Sequence, residues 1–303
     1  MMETMNHYKA FGLMLQSECE FDELLPCDAG KVDIIIKKGK VPDISENIVI
    51  NTPNVKIGKD NYWSNIENVA KFYVEHGRLI ILEPYENASF EEMKLYIFGS
   101  CMGAALYQRR ILPLHASAVN VGGKGILLTG EPGAGKSTIA AVIYRRGYKI
   151  LTDDVTAVAS DSPLESIMYP GYPGQKLWED AIERIGIKEE KNSLNRITGN
   201  LDKYSIKSNL YYEYKPIPIR VITEIIPSET NDLRLEEIKG GDKLVVIMKN
   251  TYRKILVDAM DLREWYFRQC VAIAANVIVY RITRPQDQHL EQEIANLILE
   301  TIS

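Results

Sequence analysis

The sequence predicts an α/β fold, with a P-loop nucleotide-binding domain over residues 111–303 preceded by a small α+β domain over residues 1–110. Three observations carry this. The octamer Gly130-Glu131-Pro132-Gly133-Ala134-Gly135-Lys136-Ser137 matches G-x-x-x-x-G-K-[ST] in full, and it lies between a strand-like run and a helical one. The next apolar run, Tyr148 to Thr152, ends directly on Asp153-Asp154. The third is composition: 303 residues, 46% hydrophobic and 25% charged, make an ordinary globular mixture. That length suits one elaborated domain or about two.

In the first unit, Val32 to Ile36 reads as a strand, stopped by Lys37-Lys38-Gly39. Alternating apolar runs at 68–75 and 78–83 flank His76-Gly77, which predicts a hairpin; Pro84 stops its second strand. Ser89-Phe90-Glu91-Glu92 has the capping-box pattern, and a helix to about Arg110 should follow. Met93, Ile97, Cys101 and Ala105 share one face of it and should pack between the two halves.

The second unit opens with a strand over 114–121, a Gly122-Gly123 turn and a strand over 125–129 running back. After the octamer come a helix over 136–146, Gly147 as its C′ residue, and the strand that carries the aspartates. Strand, Gly-rich loop, helix and strand at this spacing make a nucleotide-binding βαβ unit. Residues 160–175, rich in Pro, Gly and Ser, read as an exposed loop, and 178–187 as a short helix. Residues 188–214 are polar without a period. Strands at 217–226 and 277–282, helices at 244–250 and 262–276, and a last helix bearing Leu290, Ile294, Leu297 and Ile298 complete the chain.

Composition narrows the function. A net charge of −5 argues against a general nucleic-acid binder. The longest apolar stretch, Cys270 to Tyr280, is broken by Asn276 and too short to span a bilayer, so no membrane role is expected. Four cysteines without a C-x-x-C pair fit neither a zinc site nor a disulfide framework. With no export signal evident at the N-terminus, a cytoplasmic protein is expected.

The octamer needs its residue types for separate reasons. Gly133 and Gly135 let backbone N–H groups turn inward into an anion nest. The helix beginning near Lys136 adds its positive end, Lys136 reaches the β- and γ-phosphates, and the Ser137 hydroxyl can ligate magnesium. Residues Gly130 to Thr138 are therefore the expected nucleotide contacts. At the carboxyl end of a parallel strand, Asp153 and Asp154 would face the metal and the γ-phosphate if their strand lies beside the loop strand. One can bind Mg²⁺ and the other accept a proton from an attacking hydroxyl; a turn or cap role is the alternative. His115 falls in the strand paired with the loop strand, where it serves either the site or the core.

His115 fifteen residues before Gly130, the P-loop, and Asp153-Asp154 seventeen residues after Lys136 together resemble the core of the bacterial HPr kinase/phosphorylase family, over Leu114 to Val158. The resemblance implies a fold like that of the HPr kinase C-terminal domain and phosphoenolpyruvate carboxykinase. It implies phosphoryl transfer from ATP with Mg²⁺ to a serine, with Asp153 as base, Asp154 and His115 tuning the charge, and Ser137 and Asp154 toward the metal. Residues Ser166 to Gly174 depart from the Gly-rich segment, acidic metal ligand included, that follows the aspartates in that family.

Across the whole chain the sequence is similar to a branch of HPr-kinase-like proteins found with lasso-peptide biosynthesis genes. That similarity includes Tyr8-Lys9-Ala10-Phe11-Gly12-Leu13, the run Gln108 to Ala118, Pro170-Gly171-Tyr172-Pro173 with Leu177-Trp178, and Lys203-Tyr204. It implies a kinase that phosphorylates the C-terminal serine of a ribosomal precursor peptide. An HPr-type protein serine kinase/phosphorylase and a P-loop ATPase acting as a regulatory switch are the alternatives. The partner is then a precursor peptide or small protein carrying the acceptor serine, with room for a homo-oligomer. Lys203, Lys176 and Arg284 are candidate cations for the transferring phosphate, against a reading as solvated surface charges. Tyr172 is a candidate wall for a peptide tail or a residue that fixes its loop.

Overall fold

Period-two apolar runs dominate the first third of the chain, and they pair into one broad sheet. The computed structural model describes residues 5–162, 164–185, 195–198, 201–206, 215–230 and 232–302. Strands β1 (Asn6–Ala10), β2 (Leu13–Ser17), β3 (Ile34–Lys38) and β4 (Ile48–Asn51) come first. After them come β5 (Val55–Gly58), β6 (Asn61–Ile66), β7 (Ala70–Glu75) and β8 (Leu79–Pro84). The eight lie in the order β1-β2-β3-β8-β7-β6-β5-β4. The expected hairpin is β7–β8, with Glu75 opposite Leu79. Its turn residues His76 and Gly77 have φ of 51° and 61°, the doubly left-handed geometry of a tight hairpin. Strand β3 starts two residues later than expected, because Asp33 is occupied elsewhere: it accepts from the Met14 amide at 2.9 Å and pairs with Arg109 at 2.5 Å.

The helical segment departs from expectation at two points. Ser89 has the extended backbone of an N-cap, but its side chain makes no capping bond, so the capping box does not form. Helix α1 (Phe90–Tyr96) then passes through a π-helical turn, Ile97–Cys101, into α2 (Met102–Gln108). Met93, Ile97, Cys101 and Ala105 are all buried, as their shared face requires. Gly99 and Gly103 lie against Tyr252 from the far end of the chain: a Cβ there would come within 3.2 Å of its hydroxyl and 2.9 Å of its ring.

The second sheet is built around the P-loop strand. Its first members are β9 (Leu112–Leu114), β10 (Ala116–Val121) and β11 (Lys124–Thr129). Then come α3 (Lys136–Arg145), β12 (Lys149–Thr152), β13 (Thr156–Ser162) and β14 (Glu165–Tyr169). Outside it, β15 (Gln175–Trp178), β16 (Asn195–Thr198) and β17 (Leu201–Ile206) form a small antiparallel sheet beside α4 (Glu179–Arg184). Strands β18 (Ile217–Ser228) and β19 (Arg234–Ile238) follow, with helices α5 (Gly241–Lys249), α6 (Ile255–Ala259) and α7 (Arg263–Asn276). Strand β20 (Ile278–Pro285) and helix α8 (Glu291–Glu300) end the chain. The nine-stranded sheet runs β12-β10-β11-β18-β14-β13-β9, with β20 on β18 and β19 on β20.

Three expectations change here. The aspartate strand β12 does not lie beside β11; β10 stands between them, antiparallel to both. Two reversals leave β12 pointing the same way as β11, so Asp153 still reaches the loop's end of the sheet. The strand expected over 114–121 is broken at His115, where the chain leaves the pairing of β9 with β13 for that of β10 with β11 and β12. Residues 160–175 are no exposed loop: they hold the end of β13, all of β14 and a buried Pro170–Gly174 turn. Residues 178–185 divide between the last residue of β15, helix α4 and a turn; 186 and 187 fall outside the described residues.

The buried turn is explained by what covers it. The Phe11 amide donates to the Pro170 carbonyl at 2.7 Å, and the Phe11 ring rests on Gly171. The first half of the chain thus packs onto the second, and one apolar cluster holds Leu15, Ile34 and Phe72 together with Leu112, Leu127, Ile222 and Val279. At the same seam Lys94, 3% exposed, is held between Glu23 at 2.5 Å and Glu91 at 2.7 Å. A second cluster packs Ile139, Val142 and Ile143 of α3 between the sheet residues Val119, Ile126 and Leu128 and the α8 residues Ile294 and Ile298.

A Cβ on Gly171 would sit 2.6 Å from both the Phe11 ring and the Thr152 hydroxyl. Gly171→Ala should therefore lower unfolding free energy by about 1–3 kcal/mol in urea titrations, as overpacking does. The thiols give a second check on the seam. Cys19, Cys101 and Cys270 are buried and only Cys27 is partly open; burial pushes the Cys270 thiol up to about 12. One thiol of the four should react quickly with a thiol reagent in the native protein, and all four after denaturation.

Candidate active site

The loop between β11 and α3 needs left-handed backbone at three places, and glycine stands at each. Gly130, Gly133 and Gly135 have φ of 138°, 86° and 100°. At Gly130 a Cβ would meet the Ile225 carbonyl at 2.4 Å, so glycine there also allows close packing on β18. At Gly133 a Cβ would meet nothing within 4 Å, so glycine there serves the left-handed backbone alone. The Lys136 ammonium folds over the loop, donating to the carbonyls of Gly130 at 2.8 Å and Glu131 at 3.1 Å. In front of it opens a cavity of about 710 Å³, lined by Gly133, Gly135, Lys136, Ser137, Thr138 and the two aspartates. That size takes a nucleotide's phosphates and more.

The aspartates are split by one backbone reversal. Asp154 has φ of 73°, a left-handed conformation that a short acidic residue tolerates. As a result the two carboxylates serve different partners. Asp153, 7% exposed, accepts from the Ser117 hydroxyl at 2.5 Å and the Ser137 hydroxyl at 3.0 Å, both on Oδ1. Its amide lies 3.4 Å from the Tyr172 carbonyl. Asp154 instead faces His115, with its Oδ1 3.1 Å from Nδ1, while its own carbonyl lies 3.2 Å from the same nitrogen. The Ser137 hydroxyl is therefore matched with Asp153, where the family resemblance implied Asp154.

His115 reaches this point because the chain breaks there. Its amide donates to the Asn250 carbonyl at 2.8 Å and its carbonyl accepts from the Thr129 hydroxyl at 2.9 Å. Both bonds fix it where β11 gives way to the P-loop. It borders a second cavity as well, about 390 Å³, which also touches Gly130, Pro132 and Asp154 and is otherwise lined by residues 249–253 and Glu131. The two cavities thus meet at His115, Asp154 and the front of the loop.

The remaining candidates separate. Arg284, at the end of β20, lines the larger cavity, and its Nε donates to the Ala134 carbonyl at 3.1 Å. Burial draws its guanidinium below the usual arginine range, opposed in part by Glu291. Lys176 and Lys203 lie on the paired strands β15 and β17, with Lys176 opposite Ser205 and Lys203 opposite Trp178; their side chains fall outside the described residues. Tyr172 is 8% exposed and stacks on Phe98 at 4.4 Å, bordering only a crevice of about 10 Å³ beside the aspartates. It lies in the 170–174 segment, its carbonyl toward the Asp153 amide, and lines neither larger cavity.

Sequence reasoning missed several neighbours. Arg184, Gln286, His289 and Glu291 line the larger cavity. Ser117 gave no signal beyond its place two residues after His115. Glu224 sits opposite Thr129 on β18, 1% exposed, its charge met by Arg281 at 2.8 Å and Lys249 at 3.7 Å. Only the pairing of β11 with β18 could have found it. Among the described residues, no group of three or more His, Cys, Asp or Glu side chains could hold a metal by itself. Oxygen donors that would suit magnesium are gathered at Ser137 and Asp153.

No family model matches the chain. The HPr kinase/phosphorylase of Clostridium botulinum (strain Eklund 17B / Type B) is 47% identical over 101 residues, 33% of this chain and 32% of that protein. That of Clostridium beijerinckii is 47% identical over 45 residues, 15% of each chain. That of Pelodictyon phaeoclathratiforme is 44% identical over 54 residues, 18% of this chain and 15% of its own. The chain spans about a third of the length of the first of these relatives. Among solved structures, the Hpr(Ser) kinase/phosphatase from Coxiella burnetii aligns over 62% of this chain and 89% of its own, at 14% identity and a TM-score of 0.30. A superposition that loose carries no argument; the sequence matches show that the chain is similar to HPr kinase/phosphorylases over the stretch they cover.

Lys136 tests the loop directly. If the cavity takes a nucleotide, calorimetric titration with ATP should show binding to Lys136→Met roughly tenfold or more weaker, since the variant lacks the ammonium that a phosphate would meet.

Proposed function

We propose that this HPr kinase-like chain transfers the γ-phosphoryl group of ATP to a serine hydroxyl on a peptide or protein. One observation carries the reading: Asp154, in contact with His115, borders both cavities, one in front of the P-loop and one beyond it. A kinase needs two substrate spaces that meet at the base. An ATPase that only switches a partner needs one, so the second cavity weighs against that alternative.

Each residue then has a task. The loop amides and Lys136 grip the phosphates, and Arg284 supplies a further cation at the cavity's edge. Ser137 and Asp153 would hold magnesium, which neutralises charge on the β- and γ-oxygens when bound. Asp154 takes the proton of the attacking serine hydroxyl, and His115 holds its carboxylate in place. This exchanges the roles implied by family resemblance, because the Ser137 hydroxyl lies on Asp153 and the second cavity opens at Asp154.

For the acceptor we infer the C-terminal serine of a ribosomal (lasso) precursor peptide, supported by the flanking segments around Phe11, His115 and Tyr172 that resemble that branch. An HPr-type small protein is the second reading, favoured by the names of the curated relatives. Among the described residues no helix is long and apolar enough to cross a membrane. A cytoplasmic enzyme, alone or as a homo-oligomer, is the setting we propose.

Labelled ATP offered with a serine-ended peptide, the same peptide ending in alanine, and HPr separates the readings. Label on the first alone supports the precursor kinase, label on HPr the second reading, and phosphate release without acceptor preference the switch. Asp154→Asn should lower transfer by about 10²–10⁴-fold with ATP affinity nearly unchanged. Asp153→Asn should instead raise the Mg²⁺ concentration needed for half-maximal rate. The reverse pattern would return the base to Asp153.

A further inference from the structure

The cavity beyond the P-loop is lined on one side by Lys249, Asn250, Thr251, Tyr252 and Arg253, residues that match no motif. The fold holds this segment from several directions. The Asn250 carbonyl accepts from His115, and Thr251 bridges to Leu114. The Tyr252 amide donates to the Pro113 carbonyl at 3.0 Å, and the Tyr107 hydroxyl donates to the Tyr252 carbonyl at 2.8 Å. The Asn250 side chain donates to the Val246 carbonyl at 2.8 Å. Immediately after these anchors, Arg253 takes a φ of 45°, a strained value for a residue with a side chain. Such strain persists only where the surroundings impose it, and it concentrates at functional sites.

The charges lining the cavity, Glu131 and Asp154 against Lys249 and Arg253, are not paired one to one. Glu131 is met by Lys249 at 3.3 Å, and Lys249 also faces buried Glu224 at 3.7 Å. Asp154 is engaged by His115. Arg253 has no carboxylate within ion-pair distance among the described residues; its partner is Tyr252, whose ring lies 5.6 Å from the guanidinium and whose hydroxyl is 3.4 Å from Nε. One guanidinium is thus held against an aromatic face with its outer N–H groups uncommitted, beside the carboxylate assigned as base. Arg253 lines this cavity and not the phosphate cavity, which argues against a role on the nucleotide.

We infer that this cavity binds a carboxylate of the acceptor next to its reacting serine, with Arg253 as the clamp. The inference rests on the kinase reading above. A guanidinium fork matches a carboxylate in a bidentate way. The lining already sets Glu131 and Asp154 against Lys249 and Arg253, so a singly charged carboxylate adds less repulsion beside Asp154 than a dianionic phosphate would. Two sources supply that chemistry: the terminal carboxylate of a C-terminal serine, or an acidic side chain adjoining an internal one.

Three fluorescent octapeptides of glycine and alanine test it with the full chain saturated with a non-hydrolysable ATP analogue and Mg²⁺: one ending in serine as the free acid, its C-terminal amide, and the amide with aspartate before the serine. The free acid should bind about tenfold more tightly than the plain amide. Arg253→Ala should erase that preference with affinity for the ATP analogue unchanged, and Arg253→Lys should keep part of it, which also answers a folding defect in the first variant. If the aspartate amide binds like the free acid, the site accepts a side-chain carboxylate; if it binds like the plain amide, the site is specific for the chain end. Equal binding of all three peptides, no binding by any, or a preference that survives in Arg253→Ala would overturn the inference. Transfer from ATP measured on the same peptides keeps the two proposals apart. Carboxylate preference without phosphorylation would sink the kinase reading alone, and phosphorylation without preference the clamp alone.

Discussion

Everything in the site turns on a single reversal of backbone at Asp154. Two adjacent acidic residues at the end of a strand would repel one another and compete for the same cation if both faced the same way. The left-handed conformation at Asp154 sends one carboxylate to a pair of serine hydroxyls beside the P-loop and the other to a histidine on the far side. The Val155 amide closes the turn on the Asp153 carbonyl at 3.0 Å, and the Thr152 hydroxyl donates to the Val155 carbonyl at 2.8 Å. The doublet acts as two instruments because the chain bends between them.

The first half of the chain stiffens that bend. Gly171 donates to the Leu151 carbonyl at 2.9 Å, just ahead of the aspartates, and is itself pressed by Phe11. Tyr172 offers its carbonyl toward Asp153 and stacks its ring on Phe98 of the π-helical turn. Burial and the charge of Glu23 raise the Tyr172 phenol far above its ordinary value, so it stays neutral at the seam. The first half of the chain therefore bears on the site through Phe11, which rests on Gly171, and Phe98, which stacks on Tyr172.

What the sequence disclosed was local. The P-loop, the β7–β8 hairpin and helix α3 each carry their signal within about a dozen residues, and each formed where expected. What it concealed depends on partners far away along the chain. Residues 114–121 read as one apolar strand because nothing in them marks the exchange of sheets at His115; the break follows from β13 claiming one end and β11 the other. Pro170–Gly174 looked exposed by composition, yet Phe11 covers it from 160 residues away. Ser117, Glu224 and the 249–253 segment match no pattern and enter the site only through sheet register and the Leu114–Thr251 bridge.

The apolar cluster that runs unbroken from Leu15 to Val279 bears on the protein's life in a cell. Because that cluster joins residues of both sheets, the two are expected to unfold together. A protease that nicks the eight-stranded sheet would then condemn the whole molecule. Such a chain has two fates, intact or degraded, and how much of it persists is set by how rarely the entire body opens.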